Sequence, residues 1–190
     1  MASSAELPAL YPITLAGPFD ETWWNCFQAG LERGYSLLQL RLKGYDDAEG
    51  HRVLERAAAL CKRVGCRLLL NGPAEWQDHP GLAGRHLTSN ELSGAKAAAA
   101  GSGRLLAASC HTYEELKRAE AIGADWVCLS PVFRTRSHPE AEPLGLETFA
   151  DWAGRCQIPV YALGGVGPAD LGRICAAGGQ GVAGISAFWR

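Results

Sequence analysis

The chain alternates short apolar runs with longer stretches in which apolar residues recur at helical spacing. The short runs predict β-strands and the longer stretches predict the helices between them. Connections of this length, mostly helical, favour parallel pairing of successive strands. The predicted strands are residues 10–14, 36–42, 67–71, 84–87, 105–109, 125–129, 160–163 and 181–185.

Helix starts are marked by side chains that can cap them. Thr112 and Glu115 form a capping box, which predicts a helix over the residues that follow. Ser89 or Asn90 is a suitable N-cap for a helix that runs to Ala100. The last residues, 186–190, predict one short final helix.

A count of eight strands favours a closed barrel over an open sheet, which is usually built from five or six strands. We therefore predict a single compact (β/α)8 TIM barrel over residues 1–190, ending in the short last helix. The alternative is a six-stranded, doubly wound sheet. It requires the first and fourth predicted strands to be loops.

Composition excludes several classes of protein. The net charge is −2 and no basic run occurs, so no nucleic-acid partner is expected. No apolar stretch approaches the length of a membrane helix, and residues 1–6 do not resemble a signal peptide. The seven scattered cysteines are typical of free thiols in a reducing cytoplasm, which is the predicted location.

Two glycine-containing turns follow the last two predicted strands. Gly164 and Gly165 come after the seventh, and Gly184 and Ser186 end the eighth. Such turns expose backbone N–H groups, and phosphate sites in barrels are commonly built from the loops after strands seven and eight. The pair predicts a small-molecule phosphate ligand, the alternative being turns that serve chain geometry alone.

The second predicted strand carries polar residues on one face. Gln39, Arg41 and Lys43 alternate along it, and two cations at a strand end favour a pyrophosphate or another dianion. A rim of salt bridges is the alternative explanation.

Further polar candidates end strands five and six. Ser109 ends strand five, and the loop after strand six includes Thr135, Ser137 and His138, although a solvated surface loop has a similar composition. His86, inside the fourth strand, is more typical of a hydrogen-bonded core histidine than of a catalyst.

Segments along the whole chain resemble thiamine phosphate synthase and its relative, the thiazole tautomerase TenI. The matching segments, in chain order, are residues 38–43, 70–71, 86–87, 109–112, 123–126, 130–135, 159–160, 164–166 and 181–183. Each segment is short, but their shared order makes the resemblance specific.

The resemblance implies a (β/α)8 barrel that joins a hydroxymethylpyrimidine pyrophosphate to a thiazole phosphate and releases pyrophosphate with Mg²⁺. Together, the residue patterns and the resemblance place the candidate residues in four groups: catalytic, Arg41, Lys43, Ser109 and His138; substrate-binding, Gln39, Asn71, Thr135 and Ser137; phosphate-binding, Gly164, Gly165, Gly184 and Ser186; metal-binding, Glu91. It also allows a homo-oligomer.

The chain departs from the synthase pattern at the metal site. Gly72 and Pro73 stand where that pattern has an aspartate and an arginine, and His138 replaces a lysine. The histidine that serves the tautomerase is Pro131 here. The variant resembles the TenI-like domain fused to Nudix hydrolases, which allows a functional link to one. A non-catalytic binder of a thiamine-related phosphate, or a TenI-like enzyme of altered chemistry, are the alternative functions.

Overall fold

The computed structural model describes residues 6–45, 47–96, 103–135 and 140–189, which form an alternating α/β chain. The strands are β1 Leu10–Pro12, β2 Leu37–Arg41, β3 Arg67–Asn71, β4 Gly84–Leu87, β5 Leu105–Cys110, β6 Trp126–Leu129, β7 Val160–Ala162 and β8 Gly181–Gly184. The helices are α1 Glu21–Glu32, α2 Asp47–Arg63, α3 Ser89–Gly94, α4 Tyr113–Ala121, α5 Gly145–Arg155 and α6 Leu171–Ala176.

All eight strands pair in parallel, in the order β1-β8-β7-β6-β5-β4-β3-β2. The two ends of this sheet meet through a parallel bridge between Ile13 and Gln39. The prediction of a TIM barrel is therefore confirmed, and the open-sheet alternative is wrong because both β1 and β4 are strands.

The barrel has an outer and an inner apolar layer. The outer layer lies between the helices and the strands and includes Phe27, Leu54 and Phe149. The inner layer fills the barrel and is rich in aromatic rings, with Tyr11, Trp126 and Tyr161 all fully buried. Alternate residues of each strand point to opposite layers, which explains why most strands are apolar on both faces.

Caps fix the starts of several helices. Asp20 accepts a hydrogen bond from the N–H of Trp23 at the start of α1. The capping box of Thr112 and Glu115 is confirmed at α4. A second box starts α3, where Thr88 is the N-cap in place of the predicted Ser89 or Asn90.

The ends of two predicted helices differ from the structure. Helix α3 ends at Gly94, and the rest of the predicted helix to Ala100 falls partly outside the described residues. The segment after β8 is a single turn, closed by the N–H of Phe188 on the carbonyl of Ile185, in place of the predicted short last helix. The indole of Trp189 donates to the carbonyl of Ile13. This bond holds the segment after β8 against the residue that follows β1.

No helix within the described ranges combines the length and the apolar character needed to cross a membrane.

Gly84 of β4 pairs with Leu105 of β5, and this contact yields a stability prediction. A Cβ atom at Gly84 would lie 1.9 Å from the carbonyl oxygen of Leu105, a backbone atom that cannot move independently. We expect Gly84→Ala to lower the free energy of unfolding by about 2–3 kcal/mol, measured by urea denaturation. Gly172→Ala is the control, because that glycine lies in α6 with open space around it and should gain up to about 1 kcal/mol. Equal stability of the two variants would contradict the tight β4–β5 contact.

Candidate functional site

A layer of polar side chains crosses the barrel interior above the aromatic rings. It includes Gln39 on β2, Asn71 on β3, His86 on β4 and Ser109 on β5. Asn71, His86 and Ser109 occupy inward positions near the carboxyl ends of their strands, and Gln39 occupies an inward position in the middle of β2. Because all strands are parallel, these ends meet at one rim, the face on which barrel enzymes carry their sites.

The layer is joined by hydrogen bonds. The hydroxyl of Tyr11 lies 3.2 Å from Nδ1 of His86 and 3.5 Å from Nε2 of Gln39. Nε2 of His86 lies 2.9 Å from the hydroxyl of Ser109. The expectation that His86 is a hydrogen-bonded core histidine is confirmed, since its side chain is buried and both ring nitrogens have partners.

His86 in this layer and Tyr11, whose hydroxyl contacts it, are both neutral at physiological pH. Burial, followed by the positive charge of Lys43, lowers the pKa of His86 to about 3. Burial is also the main cause that raises the pKa of Tyr11 well above its usual value. This polar layer of Gln39, Asn71, His86 and Ser109 forms the floor of the barrel mouth. The floor therefore presents neutral hydrogen-bonding groups.

Asn71 connects two strands beneath the mouth. Its side-chain amide nitrogen donates to the backbone carbonyl of His86 at 2.7 Å, and its backbone carbonyl accepts from the N–H of Leu42 at 2.9 Å. The side chain is 4% exposed, so its amide is fixed in direction. This bond uses one of the two amide hydrogens within the protein.

Two cations stand above this neutral floor, at the end of β2. Arg41 is half-buried and Lys43 is exposed. The hydroxyl of Thr14 accepts from the N–H of Arg41 at 2.9 Å, which fixes the backbone beneath the guanidinium. Although the Lys43 side chain is largely exposed, partial desolvation of its ammonium group and then the charge of Arg41 lower its pKa, against an opposing effect of Glu91. The two cations are therefore close enough to repel each other.

A salt-bridged rim would require acidic partners for these cations. Within the described residues, no carboxylate lies within 4.0 Å of either Arg41 or Lys43, although five other ion pairs are present. The positive charge thus faces the barrel mouth without a carboxylate in direct contact, which favours an anionic ligand.

The turns after β7 and β8 lie side by side. Gly164 and Gly165 have φ of +84° and +69°, and a Cβ at Gly165 would lie 2.5 Å from the carbonyl oxygen of Arg134. A Cβ built on Gly167 would lie 2.9 Å from the Cβ of Ala187 in the turn after β8. The glycines therefore let the loops after β6, β7 and β8 approach one another closely.

Backbone donors in these turns differ in what they bind. The N–H of Gly167 donates to the carboxylate of Asp170 at 2.8 Å, so it is used within the protein. The N–H groups of Gly165 and Ser186 donate to none of the other described residues. A 3₁₀ turn, Pro168–Asp170, precedes α6, so the loops and not a long helix supply the donors.

The remaining candidates are placed as follows. Gly184 is the last residue of β8, buried beneath Phe188, and its carbonyl accepts from the N–H of Ile13. Thr135 ends the described part of the loop after β6, whereas Ser137 and His138 lie outside the described residues. The roles assigned to all of them stay predictions.

Glu91, the predicted metal ligand, belongs to the capping box of α3. One carboxylate oxygen accepts from both the N–H and the hydroxyl of Thr88, each at 2.8 Å. The other lies 3.4 Å from the guanidinium of Arg85. Among the described side chains, no group of three histidine, cysteine or carboxylate residues could hold a metal ion.

Gly72 is closely packed where the synthase pattern has an aspartate. A Cβ there would lie 3.0 Å from the carbonyl oxygen of Leu42 and 3.2 Å from Cδ1 of Leu70. The described residues alone therefore do not fit the Mg²⁺ that the resemblance implies.

Sequence reasoning missed Tyr11 and Thr14 as parts of the site. Tyr11 was assigned only to a strand, yet its hydroxyl joins β1, β2 and β4. An inward-facing tyrosine among apolar residues is a usable signal, because a buried hydroxyl needs a partner. Thr14 follows the strand and offers no comparable pattern.

Comparison with known proteins agrees with this architecture. The TMP-TENI family model, described as thiamine monophosphate synthase, matches residues 10–188. A putative thiamine-phosphate synthase 2 of Aquifex aeolicus is 34% identical over 183 residues, covering 96% of this chain and 98% of the relative. A thiamine-phosphate synthase of Bordetella pertussis is 32% identical over 190 residues, covering 95% and 87%.

A solved structure shares the fold. The thiamine phosphate pyrophosphorylase of Pyrococcus furiosus has a TM-score of 0.76 at 23% identity and covers 94% of this chain and 85% of its own. The sequence matches span nearly the entire chain, so this protein belongs to the thiamine monophosphate synthase (TMP-TENI) family.

Proposed function

We propose that this protein joins a pyrimidine bearing a pyrophosphate to a thiazole phosphate and releases inorganic pyrophosphate. The observation that carries the proposal is the pair Arg41 and Lys43, two neighbouring cations without a carboxylate in contact, above a neutral polar floor. A leaving pyrophosphate gains negative charge as its bond to carbon breaks. Cations already in place lower the barrier to that step.

The two substrate anions would bind on either side of β1. Strand β2, with its cations, contacts one edge of β1, and β8, with the turn at Ser186, pairs with the other edge. The thiazole phosphate would take the N–H groups of Gly165 and Ser186. This arrangement holds both substrates over the same floor, which raises their effective concentration.

The neutral floor would bind the pyrimidine. Gln39, Asn71 and Ser109 supply amide and hydroxyl groups, and no ionised side chain lies among them. Such a floor suits a heteroaromatic ring with both donor and acceptor atoms. Because the floor carries no positive charge, it would not repel a cation that develops on the pyrimidine.

The described residues do not supply a Mg²⁺ site for this reaction, because Gly72 offers no ligand and Glu91 is held by Thr88 and Arg85. This same observation favours the second candidate function, a non-catalytic protein that binds a thiamine-related phosphate. The anion sites alone are sufficient for that function.

A cytoplasmic location is part of the proposal, in keeping with a biosynthetic family and with seven cysteines that are all free thiols. The homo-oligomer and the functional link to a Nudix hydrolase stay predictions.

The first functional prediction separates the two candidate functions. We expect thiamine phosphate formation by the unmodified protein in Mg²⁺ buffer to be slow. Gly72→Asp restores a hard oxygen ligand at the mouth and should increase the rate at least tenfold in a Mg²⁺-dependent way. Gly72→Ala is the matched control, because it adds the same Cβ against Leu42 without a carboxylate.

A rise in both Gly72 variants would assign the effect to packing and contradict a metal-ligand explanation. Absence of product with every variant, together with intact ligand binding, would establish the binding function and overturn the enzymatic one.

The second prediction concerns the charge of Lys43. Its pKa is lowered in the free protein by burial and by Arg41, and a bound anion would raise it. Binding therefore favours the protonated form, so the affinity for inorganic pyrophosphate should fall as pH rises through the lowered pKa. Calorimetry across pH measures this dependence.

Lys43→Arg keeps the charge without titrating, and its binding should retain only the pH dependence of pyrophosphate itself. Arg41→Ala should weaken binding at neutral pH by about 30-fold or more and move the fall in affinity to higher pH. Identical pH profiles for the unmodified protein and Lys43→Arg would remove Lys43 from the anion site.

The third prediction concerns the turn after β8. Ser186 is exposed, and an acidic side chain there would repel a phosphate held by the neighbouring N–H groups. We expect Ser186→Asp to weaken binding of the thiazole phosphate at least about tenfold, or about 1.4 kcal/mol, in low salt. Ser93→Asp introduces the same charge on exposed α3 and should leave the affinity unchanged. Equal effects from the two variants would contradict the phosphate site.

A further inference from the structure

Four side chains in the barrel interior form a continuous hydrogen-bonded series from Gln39 through Tyr11 and His86 to Ser109. The first three are 3% exposed or less, whereas Ser109 is half-buried at the mouth. The series therefore connects a closed interior with the surface on which a ligand would lie. Its proton arrangement determines what Ser109 offers to that ligand.

The direction of the series is set at its buried end. Nε2 of Gln39 carries only hydrogens and donates to the oxygen of Tyr11. The single proton of the Tyr11 hydroxyl is then free to reach Nδ1 of His86, at 3.2 Å. In a neutral imidazole that accepts at Nδ1, the proton is on Nε2, which donates to the hydroxyl oxygen of Ser109 at 2.9 Å.

The opposite arrangement leaves a buried proton without a partner. If Nδ1 of His86 donated, the oxygen of Tyr11 would accept from both Gln39 and His86. Its own proton would then have no acceptor among the described residues that contact it. A buried hydroxyl proton without a partner is unfavourable, so the first arrangement prevails.

We propose that Tyr11 and His86 are positioning residues that fix the hydroxyl of Ser109 as a hydrogen-bond donor toward the barrel mouth. The oxygen of Ser109 is occupied by His86, and its proton is left for a ligand. The site then selects a ligand with an acceptor atom above Ser109, such as a ring nitrogen of a heteroaromatic substrate. The identity of that substrate as a pyrimidine rests on the proposed function.

The proton arrangement is measurable without any substrate. Nitrogen NMR of protein labelled at histidine, with His86→Gln to assign the signals, distinguishes a protonated Nε2 from a protonated Nδ1. We expect His86 to carry its proton on Nε2 and to keep it there between pH 5 and 8. A proton on Nδ1, or protonation of both nitrogens in that range, would overturn the proposal.

A pair of tyrosine variants tests the consequence for the ligand. Tyr11→Phe removes the donor to His86 and should shift the nitrogen signals toward a mixture of both tautomers. It should lower kcat at least tenfold while KM for the thiazole phosphate stays unchanged. Tyr161→Phe is the control, since it also removes a barrel hydroxyl, one that donates to the carbonyl of Pro8 away from His86.

A general loss of stability would affect both tyrosine variants alike, and equal losses of kcat with unshifted nitrogen signals would refute the positioning role. If the unmodified protein forms no product, the proposed function fails. The inference is then decided by the nitrogen signals and by the affinity of the two variants for the pyrimidine pyrophosphate, which should fall only in Tyr11→Phe.

Discussion

The contact between the ends of β1 and β2 is the constraint on which both the barrel and the site depend. It consists of a parallel bridge from Ile13 to Gln39 and a hydrogen bond of 2.9 Å from the N–H of Thr14 to the carbonyl of Gln39. Without it the eight strands would form an open sheet with two exposed edges. The hydroxyl of Thr14 extends the contact by accepting from the N–H of Arg41. Closure of the barrel and placement of Arg41 thus both depend on the backbone and hydroxyl groups of Thr14.

The same contact brings Tyr11 over Gln39 and, across the barrel, to His86. Burial of an imidazole and a phenol in this interior is unfavourable unless each polar atom has a partner. The series supplies those partners and keeps both groups neutral, as the lowered pKa of His86 and the raised pKa of Tyr11 indicate. A neutral floor beneath a pair of cations confines positive charge to the rim. Under the proposed function, the anionic groups of the ligands would contact the rim and their rings would contact the floor.

The sequence was sufficient to predict the barrel because the signals for strands and helices are local. Strand β3 and strand β4 have the predicted bounds, and the capping box of Thr112 and Glu115 was readable from two residues. Alternation along β2 also predicted that Gln39 and Arg41 share a face. These inferences need only the chain on either side of each residue.

Contacts between distant parts of the chain could not be predicted in this way. Tyr11 and His86 are 75 residues apart, and no local pattern pairs them. The capture of the Gly167 N–H by Asp170 likewise depends on the conformation of a 3₁₀ turn. That capture removes one donor that a simple helix N-terminus would have offered to phosphate. The phosphate-binding role of these turns stays a prediction, and identifying which of their N–H groups are used within the protein required the three-dimensional structure.

The packing of Gly72 relates the missing carboxylate to the rest of the mouth. A Cβ at Gly72 would contact the carbonyl of Leu42, the residue before the exposed Lys43, so under the proposed function an aspartate there would add negative charge near the end of β2. Its absence removes a negative charge that would have competed with the ligand for Arg41 and Lys43. Under the proposed function, glycine at this position would weaken metal binding and leave a stronger positive potential at the rim. A phosphorylated ligand would gain affinity from the second effect even where catalysis would lose from the first, so one change is compatible with both candidate functions.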